Sequence, residues 1–213
     1  MKSVMSLWLL AAVAYGTPVE RRQGSITSDE LKNGDCGDVV FIFARGSTES
    51  GNMGLTVGPP TCRGLKQAFP NAICQGIGGG YTASIAGNLQ PDGTTAAAKR
   101  EAAAMFELAA TQCPDAAVVA AGYSQGAALI AASVTALPSE QKDQLKGVVL
   151  YGYTKNLQNS GKIPDYPADR TKVFCNVSDG VCGGGLVVTP GHLTYTSDVD
   201  EAVEFLQAAV GSA

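Results

Sequence analysis

The stretch "VVAAGYSQGAALIAAS", Val118 to Ser133, sets one hydroxyl between two glycines at the join of two apolar runs. Ala116 to Ala121 is short and reads as a buried strand. Gln125 to Ala136 is apolar nearly all round and reads as a buried helix. A strand entering a helix through Gly-x-Ser-x-Gly is the context in which a serine becomes a nucleophile on a strained turn. Gly122 and Gly126 then remove side chains that would collide at the elbow. The new helix points its free N–H groups toward the serine and favours developing negative charge. The competing reading is an ordinary glycine turn with a spare serine, and residues elsewhere must decide.

Working outward, the same alternation recurs. Val39 to Ala44, "VVFIFA", reads as a strand feeding the loop "RGSTES". Further strands are expected over 148–151 and 171–175. Helices are expected over 61–69, 95–111 and 200–210, with a long turn-rich loop over 77–93. Strands alternating with helices imply an α/β fold: a three-layer α/β/α sandwich with a mostly parallel central sheet. Sites on such sheets form beyond the carboxyl ends of the strands. Three loops leave strands at that edge, at 45–50, 122–126 and 176–192.

The chain has 213 residues, 45% hydrophobic and 16% charged, which suits one well-buried core. Lys2, the apolar run Leu7 to Ala14, small residues and Pro18 have the layout of a signal peptide, assigned to residues 1–16. The run is too short to span a bilayer. Arg21-Arg22 offers a dibasic processing site, so 17–22 is expected to be a propeptide and 23–213 a single secreted domain. No later apolar run has the ~18 residues of a membrane span, so no stable membrane association is expected. Removing Lys2, Glu20, Arg21 and Arg22 takes the formal charge from −4 to −6. An acidic chain is a poor prospect for nucleic acid or anionic membranes.

All six cysteines lie after Arg22, and an even count in a secreted chain suggests disulfides. Many pairings are open. Local pairing suits Cys62–Cys74 and Cys175–Cys182, which would leave Cys36–Cys113 as a long-range bridge. Zinc would need clustered ligands, and the chain has no Cys-x-x-Cys and one histidine. No metal or cofactor is expected.

A serine hydroxyl is a weak nucleophile and needs a base. His192 is the one histidine, and it lies downstream of Ser124 as this layout requires. A lone histidine is often a structural residue, but no other residue can fill this role. The acid that orients the imidazole should fall between them. The five carboxylates there are Glu140, Asp143, Asp165, Asp169 and Asp179. Glu140 and Asp143 lie in a solvated segment, and Asp165 and Asp169 in a Pro-rich turn before a strand. Asp179 follows the last strand at the carboxyl edge, between two cysteines, and is chosen. Donors for an oxyanion are expected from the backbone N–H of Gln125 and from Ser47 after the first strand. Activity should fall in acid as His192 takes a proton.

Several separate stretches, "FIFARGSTE", "GYSQGAA", "GYTKNLQN", "IPDYPADRTKVFCN" and "SDGVC", with His192 following, resemble the fungal cutinase family in the right order. The resemblance runs from about Cys36 to the C-terminus. It implies a lidless α/β-hydrolase-fold serine esterase acting on the plant polyester cutin and on short-chain esters. It also implies a Ser124, Asp179 and His192 triad, an oxyanion hole of Ser47 and Gln125, and Asn88 orienting the Ser47 hydroxyl. The bridges Cys36–Cys113 and Cys175–Cys182 are implied too, with Cys62–Cys74 matching only some members. A monomer is expected.

Ile85 and Leu89 in the long loop, and Leu186, Val188 and Leu193 around the histidine, are candidate lips for an acyl chain. Ordinary packing would account for about half of such residues. The glycines at 183–185 and Pro190-Gly191 suggest a mobile loop carrying the base. Asn176-Val177-Ser178 is a glycosylation sequon beside the site and is expected to stay unused. Rival readings are another secreted esterase, such as an acetyl-xylan esterase or a small lipase, and a non-catalytic surface binder.

Overall fold

The computed structural model describes residues 25–211, so the expected signal peptide and propeptide lie outside the described residues. A five-stranded sheet runs β1 (Val39–Ala44), β2 (Ile73–Gly76), β3 (Ala117–Tyr123), β4 (Leu145–Tyr151) and β5 (Thr171–Phe174). Its spatial order is β2-β1-β3-β4-β5, and every neighbouring pair is parallel. All strands therefore finish at the same edge. The helices are α1 (Gly58–Ala68), α2 (Ala96–Gln112), α3 (Gln125–Thr135), α4 (Ser139–Gln144) and α5 (Val199–Gly211).

Strand side chains alternate between faces, and here both faces are covered. Val40, Ile42, Val118, Ala120, Val148 and Leu150 pack on the side of α2 and α3. Val39, Phe41, Phe43, Val119, Ala121 and Val149 pack on the side of α1 and α5, against Leu65, Ala202 and Leu206. This is the expected three-layer sandwich. Each large side chain moved fully out of water stabilises the fold by roughly 1.5–3 kcal/mol.

Local chemistry sets the helix ends. Thr95 caps α2, its hydroxyl accepting from the Ala98 N–H at 3.1 Å. Helix α1 starts at Gly58 rather than in the expected region of residue 61, because Pro59 and Pro60 fit a first turn whose N–H groups need no helical partner. One strand and one α-helix fall outside the elements expected from the sequence. Strand β2 is short and carries a polar Gln75, fully buried. That residue is satisfied by the N-terminal segment, donating to Asp29 Oδ1 and accepting from the Lys32 N–H. Helix α4 is a six-residue exposed turn in the segment read as solvated. Strand β4 begins at Leu145, earlier than expected, because Leu145 and Gly147 pair with β3.

Among the described residues no helix is long and apolar enough to cross a membrane. The bridges are Cys36–Cys113, Cys62–Cys74 and Cys175–Cys182. Cys36–Cys113 spans 77 residues and ties the entry to β1 to the end of α2. Closing a loop of that length restricts the unfolded chain by about 4 kcal/mol.

Candidate active site

Ser124 sits between β3 and α3 with φ 56° and ψ −119°, a region that non-glycine residues rarely occupy. The neighbouring glycines explain how it is tolerated. A Cβ on Gly126 would lie 2.0 Å from the Ala44 carbonyl oxygen at the end of β1. One on Gly122 would lie 2.3 Å from the Gly126 carbonyl oxygen. Helix α3 can therefore rest directly on the strand ends, and the turn lifts the Ser124 hydroxyl above the sheet edge. Ser124 N–H donates to the Tyr151 carbonyl oxygen at 2.8 Å, fixing the elbow to β4.

The loop after β5 and the turn that follows bring two further groups to this point. His192 Nε2 is 2.9 Å from Ser124 Oγ, and His192 Nδ1 is 2.8 Å from Asp179 Oδ2. Both His192 and Asp179 are buried. The Val181 N–H donates to Asp179 Oδ1 at 2.8 Å, so Cys175–Cys182 closes a small loop around a carboxylate held from within. Burial alone would raise the Asp179 carboxyl. Hydrogen bonds from Tyr195, His192 and the Val181 N–H outweigh it and hold the group below its ordinary range. The carboxylate is thus ionised opposite the imidazole.

On the other side of Ser124, the loop after β1 carries Ser47. Asn88 Nδ2 donates to Ser47 Oγ at 2.9 Å and to the Ile85 carbonyl oxygen at 3.3 Å. The Ile85 carbonyl can only accept, so the amide nitrogen must face this way. Ser47 Oγ then acts as the acceptor, and its own hydrogen is free to point toward an oxyanion. The Gln125 N–H lies in the first turn of α3, where helical N–H groups have no intrahelical carbonyl. Its side chain has a separate task, donating to the Ser84 carbonyl oxygen at 2.7 Å and pinning the turn that carries Asn88.

These groups line a cleft of about 380 Å³ that includes Ser47, Asn88, Ser124 and His192. All five expected lip residues, Ile85, Leu89, Leu186, Val188 and Leu193, line it as well. They are largely exposed, from 49% for Leu186 to 73% for Leu89, so the cleft opens straight to solvent.

Sequence reasoning missed a supporting set around the imidazole. Tyr123 stacks on His192 at 5.2 Å between ring centroids, and its hydroxyl donates to the His192 carbonyl oxygen at 2.8 Å. Gly152 leaves room for the ring, since a Cβ there would lie 2.7 Å from His192 Cε1. Tyr195 donates to Asp179 Oδ2 at 2.5 Å. In the sequence these residues look like core aromatics and a turn glycine, and nothing in their spacing sets them apart. The sequon residue Asn176 is hydrogen-bonded to the turn that carries His192. Its Nδ2 donates to the Gly191 carbonyl oxygen at 3.2 Å and to Thr194 Oγ1 at 2.7 Å.

A parallel α/β sandwich with a strand–serine–helix elbow at the carboxyl edge is the architecture of an α/β-hydrolase-type ester hydrolase. The Cutinase family model matches residues 35–210. The chain is 51% identical to the Cutinase of Fusarium solani subsp. cucurbitae, over 97% of this chain and 95% of the relative. It is also 51% identical to Cutinase 1 of Fusarium vanettenii, again over 97% and 95%. A solved Trichoderma reesei cutinase, in complex with a C11Y4 phosphonate inhibitor, superposes with a TM-score of 0.74 at 29% identity, covering 87% of this chain and 80% of that one. The chain belongs to the cutinase family and is a serine ester hydrolase.

Proposed function

We propose that this protein is a secreted enzyme that hydrolyses cutin and short-chain esters through Ser124, His192 and Asp179. One observation carries the reading: an unbroken chain from Ser124 Oγ through both ring nitrogens of His192 to the Asp179 carboxylate, opening into an apolar cleft.

His192 Nε2 takes the proton of Ser124 as the hydroxyl attacks the ester carbonyl carbon. The tetrahedral oxyanion is met by the Gln125 N–H and by Ser47, through its hydroxyl and N–H, where hydrogen bonds strengthen as charge develops. Asp179 stabilises the imidazolium and keeps the ring in the tautomer that leaves Nε2 free to accept. The imidazolium then gives its proton to the departing alcohol oxygen, leaving an acyl-enzyme. Water attacks that ester with His192 again as base, and the imidazolium returns its proton to Ser124 Oγ as the bond to the acyl carbon breaks and the acid leaves.

The lips suggest how a polymer is served. Ile85, Leu89, Leu186, Val188 and Leu193 line the same cleft as the serine, and an acyl chain lying among them would shed water. A polyester surface can approach because these residues are exposed rather than covered. All polar groups of the site come from one chain, so a monomer suffices. A leader ending near residue 16 and processing after Arg22 would deliver the 23–213 domain to an oxidising compartment, where three disulfides form.

The test pairs Ser124→Ala with the unchanged enzyme on p-nitrophenyl esters of graded length and on cutin. The variant is expected to lose roughly 10³- to 10⁶-fold in rate. The unchanged enzyme should favour short chains and release hydroxy acids from cutin. Near-normal turnover by Ser124→Ala, or activity on acetate alone, contradicts the reading.

A further inference from the structure

We infer that Tyr195 is a fourth, positioning residue of the site: its phenol fixes Asp179, draws off part of that carboxylate's charge, and so sets the pH below which His192 stops serving as base. This rests on the Ser124–His192–Asp179 reading above.

Tyr195 lies three residues after His192 and is fully buried. Its ring meets the imidazole edge-on at 6.1 Å and also contacts Tyr123 and Tyr151. Its hydroxyl is 2.5 Å from Asp179 Oδ2, the same oxygen that lies 2.8 Å from His192 Nδ1. The direction of the phenol proton is fixed by a second contact. The Asn176 N–H, which can only donate, lies 3.1 Å from the phenol oxygen. An ionised carboxylate can only accept, so the single phenol hydrogen goes to Asp179. A phenylalanine would fill the same aromatic cluster, so packing alone does not call for the hydroxyl.

Two donors thus share one oxygen. Each draws negative charge toward itself, and the share taken by the phenol is not available to the imidazolium. Removing the phenol hydroxyl returns that share to the imidazolium. The other titratable groups nearby are Tyr123 at the end of β3, Tyr151 at the end of β4, Asp198 after Tyr195, and Glu49 from the loop after β1, which acts on Tyr123. None is a cation, and among the described residues the ion-pair partner of Asp179 is His192. Burial, with the bond to Asp179, pushes the phenol well above its ordinary range, so it stays a donor while the enzyme works.

The experiment uses the processed chain with Tyr195→Phe and measures kcat and KM for p-nitrophenyl butyrate across the acid limb. The limb midpoint is expected to move up by roughly half a unit to one unit. The plateau kcat should fall about 3- to 10-fold, with KM unchanged because Tyr195 does not line the cleft. The chain's one histidine gives a second readout, since its imidazole NMR signals can be titrated without ambiguity and should shift the same way. Placing 3-fluorotyrosine at 195 by amber suppression keeps the shape but strengthens the donor, and should move the limb down. If Tyr195→Phe does not fold, the fluorotyrosine variant decides. A wild-type acid limb and histidine titration in these variants overturns the inference, even if their thermal stability falls. Ser124→Ala is assayed beside them. Activity in that variant defeats the triad reading, whereas a silent Ser124→Ala with unmoved limbs defeats Tyr195 alone.

Discussion

Asn88 hydrogen-bonds to Ser47 and Ile85 rather than to Ser124 or His192, yet its amide decides which way the Ser47 hydroxyl can point. By occupying the Ser47 oxygen as a donor, it leaves the hydroxyl hydrogen for the oxyanion that the proposed mechanism places there. Asn88→Ala frees that hydrogen to turn elsewhere. The expected result is a fall in kcat of roughly 10- to 100-fold with little change in KM, read from ester kinetics. An unchanged kcat would take Ser47 out of the oxyanion site. At this scale legibility followed scarcity. One histidine and five intervening carboxylates left little choice for the partners of Ser124. Asn88 came into view only through family resemblance, because an asparagine in a turn-rich loop carries no signal of its own. Tyr195 and Tyr123 stayed hidden because a buried tyrosine looks the same whether or not its hydroxyl does anything.

Elements place these residues, and most were readable from their periodicity. The strand and helix around Ser124 are found close to the expected bounds, since both are strongly apolar and the glycines mark the break between them. Strand β2 was not readable, as four residues with a polar one inside give no alternation until the N-terminal segment supplies Gln75 with partners. The loop carrying His192 divides into two parts. Residues 183–188 are exposed and lack regular structure. The turn at Pro190–Leu193 is tied by Tyr123, by Asn176 and by its own bond from the His192 N–H to the Thr189 carbonyl oxygen. Hydrogen exchange should therefore be fast over 183–188 and slower at His192. Exchange over 183–188 as slow as in β3 would contradict a mobile lip.

Across the whole molecule, the parallel sheet sends every strand end to one edge, and the site draws on the ends of β1, β3, β4 and β5 together. Disulfide Cys175–Cys182 closes the loop that holds Asp179, and the two other bridges brace the sheet's entry side and its β2 margin. A preformed, solvent-open cleft on a cross-linked scaffold suits a catalyst that must work at the surface of an insoluble ester. The central claim, that Ser124 is the nucleophile, is tested most directly by covalent labelling. The processed chain is treated with a p-nitrophenyl alkylphosphonate, and the adduct is located by peptide mass mapping. One phosphonyl group on Ser124, formed in step with loss of esterase activity and absent from Ser124→Ala, is the predicted result. Loss of activity with the adduct on another residue, or full activity in enzyme labelled at Ser124, would contradict it.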